Sequence, residues 1–482
     1  MNCLADRPAG NSGPHLLRTG LVLGMLTCGF GLQPLISGHA ADSGPSVAGA
    51  GWSRPGEDWP TFLGPTANGR SSLKGLRQPW PETGPRQCWQ LALGAGYCSP
   101  AVANGVVVVF DRVGDENRLR CLTAETGQLL WERHTPTSYT DMFGYDGGPR
   151  AAPVIADQRV LTYGADGRLA CWSLHDGTRH WQIDTARRYH VVQNFFGVAA
   201  APIVFSPPNG RGNTRVIVQV GGSPPDMLPD DPQRLDLVKG LDSGLVAFDL
   251  TSGEEVWRTG DELASYSTPV LTMLNDQPRL LAWMRSRLLL VDPVSGRILD
   301  SVRWRAEELF SVVAASPVVR DNQVLLSETY GPGSILLEIT NDRLEEVRRD
   351  PPRSRPRTAL RAHWATPVLA DGSVYGSTGR NAGDALLACS DWATGTLHWT
   401  HAGLGRSSCT LVDDHLIVLG EFGDLLLAKA TTAGCEIISQ CRLIAPTQNS
   451  DLLVPPCWAA PVIAHGYLYV RGAGRLVCLD LL

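Results

Sequence analysis

Aromatic and arginine side chains recur in predicted loops that lead into short strands. A Pro that follows Ser, Ala or Thr marks each of these strands. The candidate binding residues are Tyr145, Arg150, Gln193, Asn194, Phe195, Phe196, Tyr266, Glu328, Tyr330, His363, Trp364, Arg380, Arg406 and Trp458. Aromatic faces stack on planar groups and cations, and arginine binds anions. The set indicates a site for a small planar anionic ligand or a peptide. The alternative is structural: the rings pack together and each arginine pairs with Asp or Glu.

Sequence motifs of enzyme chemistry are absent. The chain has no serine-hydrolase elbow, no phosphate-binding loop and no H-E-x-x-H zinc motif. His363 has no second His at ligand spacing, so it predicts no metal site. The sequence therefore predicts no catalytic residue and no metal ligand.

The 12 cysteines favour packing over redox chemistry, since the chain has no C-x-x-C, no C-x-x-C-H and no Cys-Cys pair. Four of them share one position of a repeat, where other copies have Ala or Leu, and this exchange predicts small buried apolar residues. These four are Cys121, Cys171, Cys389 and Cys478. Cys435 and Cys441 are the best candidates for a disulfide.

The elements that must position these side chains are copies of one repeat. In the four clearest copies a Gly precedes a Trp by four residues, and these copies span 119–131, 168–181, 245–257 and 386–399. Weaker copies without the Trp span 288–300, 335–347 and 425–438, and an eighth copy, 476–482, ends with the chain. A period of about 50 residues built from short strands is typical of a propeller. We predict an all-β, eight-bladed β-propeller with four-stranded antiparallel blades.

Each repeat Trp is predicted to lie on an outer strand and to dock on the next blade. The docking residues are Trp89, Trp131, Trp181, Trp257 and Trp399. The last repeat has only three strands, whereas 86–92 is a strand-like segment that precedes the first blade. Pairing the two would complete blade eight and remove an open sheet edge.

The N-terminus carries the pattern of an export signal. Arg7 and Arg18 precede an apolar run, and small residues precede Ala41, so we predict a cleaved signal peptide over 1–40. An uncleaved anchor or a lipidated Cys28 is the alternative, and either would give contact with a membrane. Residues 41–57 are predicted to be a flexible linker, and 58–482 the propeller.

Charge and loop composition add two expectations. The net charge of −6 argues against a nucleic-acid partner, which usually requires a basic face. The segment 221–244 is rich in Pro and Asp and is predicted to be an exposed excursion from blade three.

The pattern A-x-D-x-x-T/S-G-x-x-x-W, seen from Ala247 to Trp257, resembles the Trp-docking repeat of the pyrroloquinoline quinone (PQQ)-like propellers. The segments DWPTFLGPTANGRSS (58–72), QNFFGVAAAP (193–202) and SETYGPGS (327–334) look like those of secreted proteins of this group. The superfamily includes quinoprotein alcohol dehydrogenases and the BamB-type outer-membrane assembly lipoprotein. The resemblance covers about 59–482 and implies the fold more strongly than any activity.

The same resemblance indicates which functions to expect. Quinoprotein dehydrogenases of this fold use an Asp base, a Ca²⁺ ion held by Glu, Asn and Asp, and often a vicinal disulfide. This sequence has no Cys-Cys pair, and no calcium set maps onto its motifs. We therefore expect an exported, non-catalytic, BamB-like scaffold without a cofactor, whose partners are cell-envelope proteins or a small planar or peptide ligand. The alternatives are a PQQ- and calcium-dependent oxidoreductase and a glycan-binding module.

Overall fold

Short strands with alternating side chains form eight β-sheets in the computed structural model. Seven sheets have four strands and one has five. The structure describes residue 47 and residues 50–482, except 193, 211, 228–229, 232, 352–357 and 444–451. The predicted signal peptide 1–40, Cys28 and Gln193 lie outside the described residues. None of the helices in the described part of the chain is long and apolar enough to cross a membrane.

The strands are short and evenly spaced along the chain. In the first half they are β1 (Arg70–Ser71), β2 (Arg86–Ala92), β3 (Ala101–Ala103), β4 (Val106–Val113), β5 (Glu116–Thr123), β6 (Leu129–Pro136), β7 (Val154–Ala156), β8 (Arg159–Tyr163), β9 (Arg168–Ser173), β10 (Arg179–Asp184), β11 (Ile203–Phe205), β12 (Arg215–Gln219), β13 (Leu245–Asp249), β14 (Glu255–Thr259), β15 (Val270–Leu274) and β16 (Gln277–Trp283). In the second half they are β17 (Arg287–Val291), β18 (Ile298–Arg303), β19 (Val318–Arg320), β20 (Gln323–Glu328), β21 (Gly333–Thr340), β22 (Arg343–Arg349), β23 (Val368–Ala370), β24 (Ser373–Thr378), β25 (Leu386–Asp391), β26 (Leu397–His401), β27 (Ser408–Val412), β28 (His415–Leu419), β29 (Asp424–Lys429), β30 (Ile437–Arg442), β31 (Val462–Ala464), β32 (Tyr467–Gly472) and β33 (Arg475–Asp480). The helical elements named in the described part of the chain are α1 (Thr185–Arg188) and two 3-10 turns, Pro208–Gly210 and Pro225–Met227.

Four consecutive strands make one blade. Blades one to seven are β3–β6, β7–β10, β11–β14, β15–β18, β19–β22, β23–β26 and β27–β30. Blade eight consists of β31–β33 and β2, because β2 pairs antiparallel with β33. The predicted eight-bladed propeller of antiparallel sheets is confirmed. The hydrophobic core is divided into clusters between blades, which is typical of radially packed sheets.

Every blade has a bulge between its third and fourth strands. A bulge sets two residues of one strand opposite a single residue of its partner and increases the local twist. In blade two, for example, Trp181 lies opposite Cys171, and the register shifts between Arg179 and Trp181. The bulge therefore fixes which outer-strand side chain faces the next blade.

The repeat Trp docks on the following blade through its ring and its N–H group. Trp131 Nε1 donates to the carbonyl of Leu174 in blade two at 2.8 Å, and Trp89 Nε1 donates to that of Ala124 in blade one at 2.9 Å. Gly177 lies beneath the Trp131 ring, where an added Cβ would come within 2.7 Å of it, and its φ is +69°. A side chain at position 177 would thus clash with the Trp131 ring and would also have to adopt a backbone conformation that favours glycine. Trp181, Trp257 and Trp399 make the same N–H contact.

Blades without the repeat Trp use a polar residue at the same position. Arg348 of blade five donates from Nη2 to the carbonyl of Trp392 in blade six at 2.9 Å. In blade four, Asp300 Oδ2 accepts from the backbone of Leu344 at 2.8 Å. These contacts preserve the link between neighbouring blades where the sequence pattern is weakest.

The segment that precedes the first blade crosses one end of the propeller axis. Trp59 exchanges backbone hydrogen bonds with Val102 of blade one, and Pro60 O accepts from Ile155 of blade two at 2.9 Å. Farther along, β1 pairs in parallel with β27 of blade seven. Residues between these points, including Phe62 and Leu63, consequently cover the axis.

Part of the predicted linker lies against the propeller. Trp52 stacks on His465 with ring centroids 3.9 Å apart, and Arg54 Nη1 donates to Asp480 Oδ1 at 2.8 Å. The Gly, Pro and Ser content of 41–57 predicts a lack of regular structure, and the described residues 50–57 form no helix or strand. A flexible linker is nevertheless wrong for residues 50–57, because Trp52 and Arg54 anchor them.

Two further expectations need correction. Cys435 and Cys441 are both free, so the predicted disulfide is wrong. Cys441 packs in the cluster next to blade eight, and Cys435 packs on the cluster shared with blade six, so the thiols face opposite sides of blade seven.

The segment 221–244 is not a free excursion either. Its Leu237 is 53% exposed, but Leu235 is only 3% exposed and packs against Phe195, Tyr266 and Val312. Pro and Asp keep the segment out of the sheets, and Leu235 anchors it together with Val238, which packs against the same cluster.

We predict that Trp89→Ala and Trp131→Ala each lower the free energy of unfolding by about 3–5 kcal/mol, because each removes a buried docking ring. The side chain of Leu129, on the same strand as Trp131, is 46% exposed, so Leu129→Ala should change stability by about 0.5 kcal/mol or less. Urea unfolding measures all three variants. A Trp89→Ala variant as stable as Leu129→Ala would mean that β2 does not close the ring.

Candidate functional site

A cavity of about 550 Å³ is lined by residues from the loops of all eight blades, which places it on the propeller axis. Most of the candidate binding residues predicted from the sequence line it, namely Tyr145, Arg150, Phe195, Phe196, Tyr266, Tyr330, His363, Trp364, Arg380, Arg406 and Trp458. Phe62 and Leu63 of the crossing segment line the same cavity. The segment that supplies these two residues covers one end of the axis, so we call this cavity the cup.

One position of the repeat supplies a cup residue in every blade. It lies three residues before the Pro of each inner strand, or before Cys409 in blade seven, and its occupants are Tyr97, Arg150, Ala199, Tyr266, Ala314, Trp364, Arg406 and Trp458. A residue that precedes proline is restricted to extended conformations, and alternate residues of an extended chain face the same side. The small residue directly before each Pro, or before Cys409, therefore faces the same side as the residue two places earlier. Of these small residues, Ser99, Ala152, Thr366, Ser408 and Ala460 also line the cup.

One wall of the cup is a chain of aromatic contacts. Trp458 packs against Tyr97 with ring centroids 4.9 Å apart and against Trp364 at 5.0 Å. Trp364 contacts His363 at 4.5 Å, and His363 contacts Tyr330 at 5.4 Å. The tilted and edge-on geometries are those that aromatic pairs favour, so this wall is held in place before any ligand binds.

A second aromatic wall adjoins the first, because the rings of Tyr145 and Trp458 lie 6.0 Å apart, and it is partly exposed. Phe196 lies 5.5 Å from Phe143, 5.6 Å from Tyr145 and 5.5 Å from Tyr266, measured between ring centroids. Phe143 also meets Phe310 at 6.2 Å. Phe143 and Tyr145 are each 44% exposed, and Phe310 is 41% exposed. Rings this accessible on a folded surface are a feature of interaction sites.

Arg406 is held between the two tryptophans and a carboxylate. Its guanidinium lies 4.5 Å from the ring centroid of Trp364 and 5.1 Å from that of Trp458. Its Nε donates to Glu421 Oε2 at 3.0 Å, and Trp458 Nε1 donates to Glu421 Oε1 at 2.9 Å. Although burial opposes the shift, the hydrogen bonds from Arg406 and Trp458 lower the pKa of Glu421.

The other two arginines of the cup are paired as well. Arg150 Nη2 lies 2.7 Å from Asp141 Oδ2. Arg380 Nη1 lies 3.3 Å from Glu308 Oε2 and stacks over Tyr330 at 4.3 Å. Each guanidinium that lines the cup thus has a carboxylate partner, so the cup offers aromatic faces rather than uncompensated positive charge.

His363 is neutral in this environment. Burial, together with the charges of Arg406 and Arg380, lowers its pKa to about 3. Its Nε2 lies 3.0 Å from the hydroxyl of Tyr330, so the ring acts as an uncharged hydrogen-bonding partner. Among the described residues, no group of three or more His, Cys, Asp or Glu side chains is arranged to hold a metal ion.

Two predicted residues lie away from the cup. Asn194 lines a second cavity of about 230 Å³ and donates from Nδ2 to the carbonyl of Ala264 at 3.0 Å. Glu328 is 2% exposed, and its Oε2 accepts from the backbone of Ala306 at 2.9 Å. Burial raises the pKa of Glu328 to about 7, against the opposing effects of that hydrogen bond and of Arg305.

The structure also adds residues that the sequence analysis missed. Tyr97 lies at the shared repeat position, so alignment of the Pro markers carries a signal for it. Phe143 and Phe310 lie in loops of irregular length, where no repeat register identifies them. Phe62 and Leu63 precede the first blade, and only the fold brings them to the axis.

The residues of the cup do not fit PQQ with calcium, the cofactor that the resemblance implies for an enzyme. PQQ carries three carboxylates and requires available cations, whereas Arg150, Arg380 and Arg406 are already paired. A calcium ion requires several oxygen ligands, and the acid closest to the tryptophans, Glu421, is occupied by Arg406 and Trp458.

We predict that Glu328→Gln alters how stability depends on pH. Between about pH 4.5 and 7 the folded chain retains a proton that the unfolded chain releases, so the contribution of Glu328 to stability falls as pH rises through this range. From pH 5 to 8 the free energy of unfolding of the wild type should fall by about 1–3 kcal/mol relative to Glu328→Gln. Urea unfolding at several pH values measures this difference.

The matched control is the same substitution at the exposed Glu82, Glu82→Gln, measured over the same pH range. The assignment of a buried, protonated Glu328 fails if the Glu328→Gln and wild-type profiles are parallel.

Comparisons with known proteins agree with this architecture. The structure is similar to BamB from Moraxella catarrhalis, with a TM-score of 0.54 at 13% identity over 82% of this chain and 97% of that one. A quinohemoprotein alcohol dehydrogenase from Comamonas testosteroni gives a TM-score of 0.46 at 14% identity over 88% and 80% of the two chains. At 13% identity the likeness to BamB shows the fold alone. A search of curated protein sequences finds no match.

The sequence itself matches one family model, described as outer membrane protein assembly factor BamB, over residues 75–223 and 237–433. These two ranges make up well over half of the chain. The protein therefore belongs to the BamB family of PQQ-like β-propellers.

Proposed function

We propose that the protein is a non-catalytic binding scaffold whose cup receives an apolar, aromatic-bearing segment of a partner protein. The observation that carries this proposal is the character of the cup: its walls are aromatic, and each arginine that lines it is neutralised by a carboxylate. Such a lining favours insertion of apolar side chains, because their burial is favourable and displaces no bound counter-charge.

The size and rigidity of the cup support the same proposal. Its volume of about 550 Å³ lies in the range of pockets that enclose a small ligand or a few side chains. The rings of Trp364 and Trp458 are fixed by Arg406 and Glu421, so little conformational entropy is lost when a ligand packs on them. Preorganised aromatic residues of this kind are typical of binding hot spots.

The exposed edge of the cup enlarges the contact surface. Phe143 and Tyr145 lie in the loop between β6 and β7, Phe310 lies in the loop between β18 and β19, and together with Phe196 they form one partly exposed aromatic patch. A partner segment that enters the cup would cover this patch. A free small molecule inside the cup would leave the patch exposed, which favours a protein partner over a planar anion.

The proposed setting is the cell envelope. The export pattern of residues 1–40 supports it, as does the family description, which refers to the assembly of outer membrane proteins. Other cell-envelope proteins are then the expected partners. Cleavage leaves a soluble chain, and an uncleaved or lipidated N-terminus would hold the propeller at a membrane.

Two other functions remain alternatives with distinct requirements. A PQQ-dependent oxidoreductase requires quinone and calcium binding, for which the paired arginines give no support. A glycan-binding module would also use aromatic faces, but it requires polar side chains around them to hydrogen-bond hydroxyl groups. The binding experiment below separates these alternatives by the class of ligand retained.

We predict that Ala314→Trp blocks the cup. Ala314 occupies the repeat position that is Trp in blades six and eight, so the substitution adds a ring to the cup and removes no packed side chain. The probes are linear peptides selected on the wild-type protein from a phage-displayed random library. We expect them to be enriched in aromatic residues and to bind Ala314→Trp at least tenfold more weakly by fluorescence titration.

The matched control is Ala433→Trp, the same substitution at an exposed site in the turn between β29 and β30, and it should retain wild-type affinity. Parallel titrations use PQQ with Ca²⁺ and a panel of soluble oligosaccharides. Peptides that bind both Trp variants equally would place recognition outside the cup. Saturable binding of PQQ with dye reduction, or of an oligosaccharide alone, would replace the proposal with the corresponding alternative.

A further inference from the structure

Blade eight joins the two ends of the propeller and places two cysteines opposite each other. Cys478 lies on β33, and Cys88 lies at the bulge of β2, where the register shifts between Gln87 and Trp89. At such a bulge two consecutive residues oppose one residue of the partner strand. Cys88 and Trp89 therefore both lie opposite Cys478.

Both cysteines pack into the apolar region around blade eight. Cys478 is fully buried in the cluster that blade eight shares with blades one and seven, and Cys88 packs against this same cluster. The thiol groups form a side-chain hydrogen bond with each other. Adjacent antiparallel strands also bring Cα atoms within the distance that a disulfide spans.

The other blades lack this combination. Cys121, Cys171 and Cys389 occupy the position of Cys478 in blades one, two and six. The residues that correspond to Cys88 in these blades are Leu130, His180 and His398. Among the eight repeats only the closing blade has a cysteine at both positions, and it is the blade formed by both ends of the propeller.

Cys88 has the environment of a reactive thiol. It is half-buried, so it is accessible to solvent, and Arg86 lies on the same strand. The hydrogen bond from Cys478, with a smaller contribution from the charge of Arg86 and against the effect of burial, lowers the pKa of Cys88 to about 7. Burial raises the pKa of Cys478, so Cys88 is the nucleophile and Cys478 is the resolving thiol.

We propose that Cys88 and Cys478 are an oxidation site, and that the disulfide between them locks the propeller ring covalently. It joins the first strand of blade eight in the chain to its last strand, so it encloses nearly the whole propeller in one covalent loop. A cross-link over so long a loop restricts the unfolded chain strongly. It would act at the one blade that no continuous stretch of chain holds together.

The chemistry is thiol–disulfide exchange with a donor disulfide. The Cys88 thiolate attacks one sulfur of the donor, forms a mixed disulfide and releases the first donor thiol. Cys478 then loses its proton and attacks the Cys88 sulfur, which forms the internal bond and releases the second donor thiol. The two cysteines are oxidised by two electrons in total, and the donor disulfide is reduced to two thiols.

The test uses the full chain, first reduced with dithiothreitol and then incubated with oxidised glutathione. We expect a tryptic species that joins 87–112 to 476–482 and is lighter than the two free peptides by two hydrogen atoms. The melting temperature should rise by several degrees on oxidation. Cys478→Ala should fold, because Ala247 occupies this position in blade three, and it should show neither change.

Two controls separate this pair from other thiols. Cys98 lies in the same tryptic peptide as Cys88, so Cys98→Ala must still form the link. Cys121→Ala removes the equivalent thiol of blade one and should behave like the wild type. The proposal is overturned if oxidation gives only a stable glutathione adduct on Cys88, if Cys88 links to a different cysteine, or if the thiol content does not fall.

Discussion

Docking of each outer strand on the next blade is the contact on which the rest of the structure depends. A propeller has no single central core, so neighbouring blades must bind each other at every step around the ring. Trp131 meets this requirement with a ring against Gly177 and an N–H group bound to Leu174. Trp89 makes the equivalent contact across the junction of the chain ends, so the strand that precedes the first blade completes the same circle of contacts.

The cup is a consequence of this closed ring. Because all eight blades repeat one geometry, the residue three places before each Pro marker reaches the axis at the same level. The family fold thus provides eight positions, and this chain fills six of them with Tyr, Trp or Arg and two with Ala. The two alanines leave space, and the pairing of Arg406 with Glu421 removes the charge that would otherwise favour an anion.

Repeat patterns explain how much of this could be predicted from the sequence. The Trp positions and the eight blades follow from local spacing, and most cup residues follow from the Pro markers. Features set by contacts between distant residues carry no such signal. The bulge that brings Cys88 to Cys478 depends on strand register across the ring, and the contacts of Trp52 and Leu235 depend on surfaces formed by other blades. Cys435 and Cys441 are close in sequence but face opposite sides of one blade.

The axial cup is a preformed aromatic site. The most direct measurement is an electron-density map of crystals of the protein soaked with indole, a probe of the proposed aromatic ligands. We expect an indole ring inside the cup, in van der Waals contact with Trp458 and Tyr330, and unchanged positions of both side chains. A cup filled by side chains of the protein itself, or indole bound only outside the cup, would contradict the claim.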